Sequence, residues 1–229
     1  MKKIVDISHY QETINWELAR PEIEFVIFRA SIGQKIDQKY LQYSRECQLP
    51  FGVYHYVKAT TAAEARAEAN FFVTCANASQ ASPLFYIADI EYEAQNETNT
   101  EIVISAFLQE LHKLGCKKIG IYGNSSWQWA KNAITLVDFL WLPRWGKDDG
   151  NIPSEQYYPR YPCDLWQYTS KGKVNGIEGN VDLSVLHGDK TLEWFLEGWK
   201  KNEVKVMEKF TNEHFVEFCK KFVGQPYWY

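Results

Sequence analysis

Eight short apolar runs recur along the chain, and most of them are continuously apolar rather than alternating between apolar and polar positions. They are KIVDIS, EFVIFRAS, FGVYHYV, PLFYIADIE, KKIGIYG, DFLWLPRW, CDLWQYT and NVDLSVL. Strands that are covered on both faces, as in a parallel sheet, have this pattern. The chain is therefore predicted to contain about eight strands of a largely parallel sheet.

Helical spacing lies between the early runs. Residues 61–78 are rich in Ala and Glu, and Glu64 stands at the capping-box offset from Thr61. Residues 98–114 have a second helical pattern, and Gly115 is its expected stop. Two shorter helices are predicted at residues 14–20 and 37–47. Alternation of strands and helices indicates βαβ units and an α/β fold.

The pattern changes after Trp145. Residues 146–162 and 170–179 have no helical spacing and carry Gly, Pro and Asn-Gly turn signals. A link of about ten residues is too short for a normal crossover, so the last strands are expected to pair antiparallel. The prediction is an irregular (β/α) barrel of about eight strands, with few helices in its second half and a helical tail at the C-terminus.

The amino-acid composition limits the kinds of molecule that the protein is expected to bind. The 229 residues are 45% hydrophobic, enough for one large core or one domain with an appendage. A net charge of −4 without a basic tract argues against nucleic acid. No run approaches the roughly 20 apolar residues of a membrane span. Aromatic residues make up 16% of the chain, which indicates either a rich core or stacking platforms for sugars.

Metal and cofactor motifs are missing from the sequence. The five cysteines are Cys47, Cys75, Cys116, Cys163 and Cys219. Their odd number, wide spacing and lack of a CxxC or Cys/His cluster argue against zinc, and buried free thiols from a reducing cytosol are expected. GxGxxG, P-loop and GxSxG patterns are also absent, so we expect no cofactor.

Carboxylates follow the fourth apolar run. Asp89 and Glu91 are an i, i+2 pair, so in a strand they face the same way, about 6 to 7 Å apart at the backbone. Two carboxyl groups this close cannot both ionise freely, so the proton affinity of one of them is raised. One group is then an acid and the other an anion, which are the two groups that glycoside cleavage requires. The alternative is that these acids lie in a solvated loop, which is the interpretation favoured for Glu93.

Other strand ends carry similar chemistry. In a parallel barrel, catalytic groups gather at the C-terminal ends of the strands. The remaining residues with suitable chemistry at or near strand ends are Asp6, Tyr56, Tyr122, Trp145, Trp166, Tyr168 and Asp182. His9 and His55 follow or lie in two of these strands, and each either orients a carboxylate or is a satisfied structural histidine.

Four motifs in order resemble glycoside hydrolase family 25, the Chalaropsis-type lysozymes or N-acetylmuramidases. They are DISHYQETINW, PFGVYHYV, YIADIE and LWQYTSKGKVNGIEGNVDLSVL, and the resemblance covers about residues 3–187. It implies cleavage of the β-1,4 bond from N-acetylmuramic acid to N-acetylglucosamine in bacterial peptidoglycan. The alternatives are a non-catalytic glycan-binding barrel and a glycosidase that acts on chitin-like polymers.

The resemblance also implies roles for residues. Glu91 matches the proton donor, and Asp89 matches the partner that holds or polarises the substrate's acetamido group, while Asp6 and Asp182 match further acids of the site. A water or the acetamido oxygen would attack the anomeric carbon. The implied substrate-binding residues are Tyr56, Tyr122, Trp141, Arg144, Trp145, Trp166 and Tyr168.

Three segments are expected along the chain. Residues 1–190 are predicted to form the barrel, and residues 191–210 a linker. Residues 211–229 resemble the helical start of an NlpC/P60- or CHAP-like domain, which predicts a truncated second domain of a longer lysin. The opening MKKIVDISHY lacks a signal-peptide core. A phage endolysin-like protein is expected, made in the cytoplasm and acting at the bacterial cell wall after release.

Overall fold

Eight strands close into a barrel in the computed structural model, which describes residues 2–79, 82–91, 97–123 and 133–200. The strands are β1 (Lys3–Ile7), β2 (Ile23–Ile32), β3 (Lys35–Ile36), β4 (Phe51–Tyr56), β5 (Tyr86–Ile90), β6 (Ile119–Gly123), β7 (Phe139–Pro143), β8 (Leu165–Gly172) and β9 (Val181–Leu186). Around the barrel the order is β1, β9, β8, β7, β6, β5, β4, β2 and back to β1, while β3 only forms a hairpin with the end of β2.

The last strand runs against the others. β9 pairs antiparallel with both β1 and β8, and every other neighbouring pair in the closed barrel is parallel. Residues 144–164, which join the parallel strands β7 and β8, contain a single 3-10 turn at Glu155–Tyr157 and no α-helix. The predicted irregular barrel, its helix-poor second half and an antiparallel last strand are therefore confirmed.

Four α-helices lie in the first half of the described chain, and a fifth follows the last strand. They are α1 (Trp16–Ala19), α2 (Tyr40–Glu46), α3 (Ala62–Asn77), α4 (Glu97–Lys113) and α5 (Leu192–Leu196). The α3 capping box is present, because the Glu64 amide donates to Thr61 Oγ1 at 3.2 Å and the Thr61 amide donates to Glu64 Oε2 at 3.2 Å. Gly115 follows α4 with a φ of +80°, as its predicted role as a helix stop requires.

Aromatic rings fill the closed end of the barrel. Phe195 of α5 is completely buried and packs against Phe25, Phe85 and Phe139, with ring centroids 5.1–5.7 Å apart. Lys118 holds this helix by donating to the carbonyl of Trp194 at 2.6 Å. The helix α5, which falls within the first part of the predicted linker 191–210, thus packs on the barrel.

Two glycines make room for these rings. A Cβ on Gly52 would lie 2.0 Å from the Phe85 ring, and a Cβ on Gly120 would lie 2.4 Å from the Phe139 ring. The strands β4 and β6 therefore contribute no side chain at these positions, and the large rings of β5 and β7 occupy the space. This alternation of large and small residues fills the narrow interior that an eight-stranded barrel leaves.

A buried polar network lies on the outer face of the barrel. His55 on β4 contacts Ser31 Oγ through Nδ1 at 2.8 Å and Glu68 Oε2 through Nε2 at 3.0 Å. Glu68 also accepts from the Lys58 amide at 2.8 Å. All three side chains of this chain of contacts are buried, and burial lowers the pKa of His55. His55 is a structural histidine that ties α3 to the sheet.

The remaining predictions concern the cysteines, a membrane-spanning helix and the division of the chain into segments. Cys47, Cys75 and Cys163 are buried free thiols, and Cys116 is a half-buried one. Within the described ranges, no helix is both long and apolar enough to span a membrane. The division of the chain at residues 190 and 210 stays a prediction. Residues 201–229, with Cys219 and the predicted helical stub, and also Glu93, lie outside the described residues.

Candidate active site

Two carboxyl groups face each other across the first and last strands. Asp6 on β1 and Asp182 on β9 are register partners, and their side chains share a hydrogen bond, which requires a proton on one of them. Burial, followed by the charge of Asp182, raises the pKa of Asp6 well above its usual range. Burial also raises the pKa of Asp182 to about 6. The pair therefore holds a shared proton in weakly acidic solution.

Asp89 lies at the end of β5 and is buried, with 3% of its surface exposed. Its Oδ1 atom has no hydrogen-bond partner among the described residues. Burial, followed by the charge of Glu91, raises the pKa of Asp89 well above its usual range, and the charge of Arg29 opposes this rise. A buried carboxyl oxygen without a partner is costly, and a bound polar group would satisfy it.

Glu91 is the first residue beyond β5 and is exposed. Partial desolvation of its carboxyl group, followed by the charge of Asp182, raises its pKa. The predicted roles of Glu91 as the protonated acid and Asp89 as the anion stay predictions, because burial raises the pKa of both groups. Asp89 is the more deeply buried of the two, because it lies inside the strand, and its pKa is raised as well.

Gln167 joins the acids to the aromatic residues, and sequence reasoning missed it. Its Oε1 accepts hydrogen bonds from the Tyr122 hydroxyl at 2.8 Å and from Trp145 Nε1 at 2.9 Å. Its Nε2 donates to the two carboxyl oxygens of Asp6 at 3.3 and 3.1 Å. Because two donors occupy Oε1, the amide can only present its NH2 group to Asp6. The sequence feature that could have identified Gln167 is its position between Trp166 and Tyr168.

Aromatic side chains form the floor beneath the carboxyl groups. Trp141 is buried, lies 4.4 Å from the Tyr122 ring between centroids, and donates through Nε1 to Ser184 Oγ at 2.9 Å. Tyr54 is a second residue that sequence reasoning missed. Burial, followed by the charge of Asp6, raises its pKa well above the usual range, so the phenol stays neutral. This floor keeps the carboxyl groups poorly solvated.

A cation lies beside the acids on β2. Arg29 is buried and donates through Nε to Asp37 Oδ2 at 2.8 Å. His9 contacts the same carboxylate oxygen through Nδ1 at 3.3 Å, and its Nδ1 also contacts Arg29 Nη2. His9 therefore orients a carboxylate, although it is that of Asp37 rather than one of the four acids of the site.

The predicted binding residues divide by strand face. Tyr122, Trp141 and Trp145 contact Gln167 or the floor, and Tyr56 is the register partner of Asp89. Arg144 instead donates to the carbonyl of Tyr158.

Trp166 and Tyr168 are not brought to the acids. They belong to the core cluster outside the barrel, with Trp166 Nε1 donating to the Arg144 carbonyl at 2.9 Å. Both face away from Gln167 because successive side chains of a strand point to opposite faces. The expectation that Trp166 and Tyr168 line the substrate groove is therefore corrected: both side chains pack outside the barrel.

Comparison with known proteins gives one family. The family model described as Glycosyl hydrolases family 25 matches residues 5–177. A solved glycosyl hydrolase 25 of Streptococcus pneumoniae is 27% identical with a TM-score of 0.73, covering 85% of this chain and 91% of that one. The catalytic domain of endolysin ply40 from bacteriophage P40 of Listeria monocytogenes is 30% identical with a TM-score of 0.67, covering 82% and 93%. Lysozyme M1 of Streptomyces globisporus is 24% identical over 204 residues, covering 80% of this chain and 67% of that protein.

Proposed function

Because the chain belongs to glycosyl hydrolases family 25 and is a glycoside hydrolase of the lysozyme type, we propose that it cleaves the β-1,4 bond between N-acetylmuramic acid and N-acetylglucosamine in bacterial peptidoglycan. The observation that carries this proposal is the placement of an accessible acid, Glu91, two residues from a buried acid, Asp89, whose Oδ1 lacks a partner among the described residues. Similarity to a lysozyme and to an endolysin supports the same substrate.

Glu91 is proposed as the general acid. Its raised pKa favours the protonated form, and its exposed position gives a polymer access to that proton. The proton passes to the glycosidic oxygen as the bond from that oxygen to the anomeric carbon breaks. The acetamido oxygen of the substrate, or a water molecule, forms the new bond to the anomeric carbon. In the acetamido route, water then adds to the cyclic intermediate and returns a proton to Glu91. In the direct route, the attacking water gives its proton to the ionised carboxylate opposite Glu91, that of Asp182.

Asp89 is proposed to hold the acetamido group. An acetamido N–H that donates to Oδ1 would supply the missing hydrogen bond. That bond, together with the charge of Arg29, favours the carboxylate form of Asp89, against the burial that favours the protonated form. A carboxylate beside the acetamido nitrogen stabilises the positive charge that develops there as the acetamido oxygen attacks.

Asp182 is proposed as the anionic group opposite Glu91. Its pKa of about 6 leaves it largely ionised at neutral pH, while Asp6 keeps the proton that the pair shares. Negative charge at Asp182 raises the proton affinity of Glu91, as the general acid requires, and stabilises an oxocarbenium-like anomeric carbon. In this arrangement the enzyme acts at the bacterial cell wall and uses no cofactor.

Product analysis tests the proposal. Purified peptidoglycan is digested with the full chain, and the products are identified by mass spectrometry after reduction of their free ends. The expected products end in reduced N-acetylmuramic acid. Products that end in reduced N-acetylglucosamine would contradict the bond assignment. Release from chitin-like polymers alone would support the alternative glycosidase.

A further inference from the structure

Two axes cross at the open end of the barrel. Glu91 follows β5, and Asp182 lies on β9, four strands away in either direction around the closed sheet. Trp145 follows β7, and β2 is likewise four strands away from β7 in either direction. The acids therefore face each other along one axis of the mouth. A second axis, from β7 to β2, crosses the first between them.

An exposed tryptophan stands at one end of the second axis. Trp145 is 41% exposed, and its indole N–H donates to Gln167, which in turn donates to Asp6. Its loop is held against β8, because Asp148 accepts from the Ser170 amide at 2.7 Å and donates its own amide to the Trp145 carbonyl at 2.8 Å. The indole ring is thus both accessible and fixed beside the acids.

An exposed tyrosine lies beside the other end, in the turn that follows β1, the neighbour of β2. Tyr10 is 74% exposed, the largest exposed fraction among the large apolar and aromatic side chains of the described residues. The Arg29 guanidinium of β2 lies 5.3 Å from the centroid of its ring, and the His9 ring lies 4.3 Å away. Arg29 is also the charge that lowers the pKa of Asp89. Tyr10 is therefore one side chain removed from the acids.

The turn that presents Tyr10 is ordered by its own motif. The Ser8 amide donates to Gln11 Oε1 at 3.0 Å, and the Gln11 amide donates to the Ser8 carbonyl at 3.3 Å. Gln11 Nε2 donates to the Asn180 carbonyl at 3.2 Å, two residues before Asp182, and the Tyr43 hydroxyl donates to the Gln11 carbonyl. These contacts hold the turn while leaving the Tyr10 ring largely exposed, and a turn that is already ordered lowers the entropy cost of binding.

Other exposed aromatic residues do not share this setting. Tyr158 packs edge-on to Trp166 and His187 on the outer side of β8, and Trp199 follows α5 at the closed end. Among the exposed aromatic side chains of the described residues, Tyr10 and Trp145 alone are linked to the acids. Flat apolar rings at opposite rims, with acids between them, match the C–H faces of sugars on the two sides of the scissile bond in an extended glycan.

We propose that Tyr10 is a sugar-binding residue and that the glycan crosses the mouth from Trp145 to Tyr10, over the carboxyl groups. This inference rests on the proposed function, because it names how the same substrate is held. The glycan would pass between Glu91 and Asp182, with the scissile bond at the crossing of the two axes. Arg29 supports the Tyr10 ring from beneath through a cation–π contact, which fixes the platform.

The test measures kcat and KM of the full chain on soluble, uncross-linked peptidoglycan glycan strands. Tyr10→Ala is expected to raise KM roughly three- to tenfold with little change in kcat, because it removes a stacking contact. Tyr10→Phe should keep the wild-type KM, since the ring face makes the contact. Trp145→Ala should raise KM and also lower kcat, because Gln167 loses a donor. The control, Trp199→Ala, should change neither.

The double variant Tyr10→Ala/Trp145→Ala should show the product of the two KM effects, because the rings do not touch. An unchanged KM in Tyr10→Ala, or an equal loss in Tyr10→Phe, overturns the role of Tyr10 while the wild type remains an active hydrolase. A wild type that releases no reducing ends from these strands rejects the proposed function and the glycan path together.

Discussion

Asp6 is the register partner of Asp182, so the first and last strands of the barrel bring two carboxyl groups into direct contact. Two acids in contact within a poorly solvated site are expensive to ionise, and the free protein accommodates them by sharing a proton. Burial raises the pKa of Asp182 to about 6, and the hydrogen bond with Asp6 opposes this rise, so Asp182 is largely anionic at neutral pH while Asp6 stays protonated. The contact between these acids therefore lowers the stability of the fold, while it supplies the protonation states that the proposed reaction requires.

Glu91→Gln is expected to lower kcat on purified cell walls by about 10²–10⁴-fold, because glutamine cannot protonate the leaving oxygen. The residue is exposed, so the unfolding transition should stay within about 0.5 kcal/mol of the wild type. Release of reducing ends measures the first effect, and chemical denaturation the second. Glu17→Gln on α1 is the matched exposed control. A variant with near-normal activity would reject Glu91 as the acid.

Asp182→Asn is expected to stabilise the fold at neutral pH while abolishing activity. The folded-state pKa is raised to about 6, so the stability associated with this group is complete below about pH 4 and is lost as the pH rises through 6. The variant should therefore exceed the wild type by about 1–3 kcal/mol at pH 7.5 and by little at pH 4.

Urea denaturation at the two pH values gives this difference. Asp189→Asn, at an exposed aspartate of the segment after β9, is the matched control. Equal stabilities of wild type and Asp182→Asn at both pH values would mean that burial does not destabilise the ionised form of this carboxyl group.

Gln167→Met is expected to shift the alkaline limb of the pH–rate profile to higher pH, because Asp6 would then hold the proton that it shares with Asp182 to a higher pH. The amide of Gln167 lowers the pKa of Asp6 by donating to it, and methionine has no donor. Loss of the amide also leaves Tyr122 and Trp145 without their shared acceptor, at a cost of about 1–3 kcal/mol. The exposed Gln109→Met is the control. An unchanged profile in a folded variant would limit Gln167 to a structural role.

His55 is expected to destabilise the fold as the pH falls below about 6.5. Its folded-state pKa is lowered by burial, so protons bind preferentially to the unfolded chain between that pKa and 6.5. His55→Gln keeps an acceptor for Ser31 and a donor for Glu68 but cannot titrate, so it should flatten this part of the stability profile. Denaturation between pH 5 and 7.5 measures the slope, and His112→Gln, at an exposed histidine, is the matched control.

Phe195→Ala is expected to destabilise the barrel by about 3–5 kcal/mol, because a fully buried ring leaves the closed end. The acids lie at the other end, so kcat at low denaturant should stay near the wild-type value. Thermal unfolding and the reducing-end assay separate the two effects. Trp199→Ala, which removes a partly exposed ring from the same segment, should cost much less. A small loss in Phe195→Ala would mean that α5 is dispensable.

Local signals in the sequence predicted most of the framework. The Thr61 and Glu64 pair fixed the start of α3, Gly115 fixed the end of α4, and the apolar runs predicted the eight barrel strands. These features depend on neighbours within a few residues, so a linear reading captures them. The Asp89 and Glu91 spacing likewise requires only that the chain is extended there.

The sequence could not show which side chains of β8 point into the barrel, because both faces of this strand are buried. Trp166, Gln167 and Tyr168 are all buried, so burial does not alternate along this part of β8, and the alternation of aromatic and polar residues does not show which face lies inside the barrel. Closure of the barrel decides that Gln167 points to the acids and that the two aromatic residues point away.

The sequence by itself determined the strands, the helices and the types of chemical group at the strand ends, because these follow from local periodicity and residue identity. Only the tertiary structure decided which groups meet. Asp6 and Asp182 touch because β9 runs antiparallel and closes the barrel against β1. Glu91 and Asp89 differ in burial because β5 ends between them. Proton affinities depend on burial and on charges brought from distant strands, and those exist only in the folded chain.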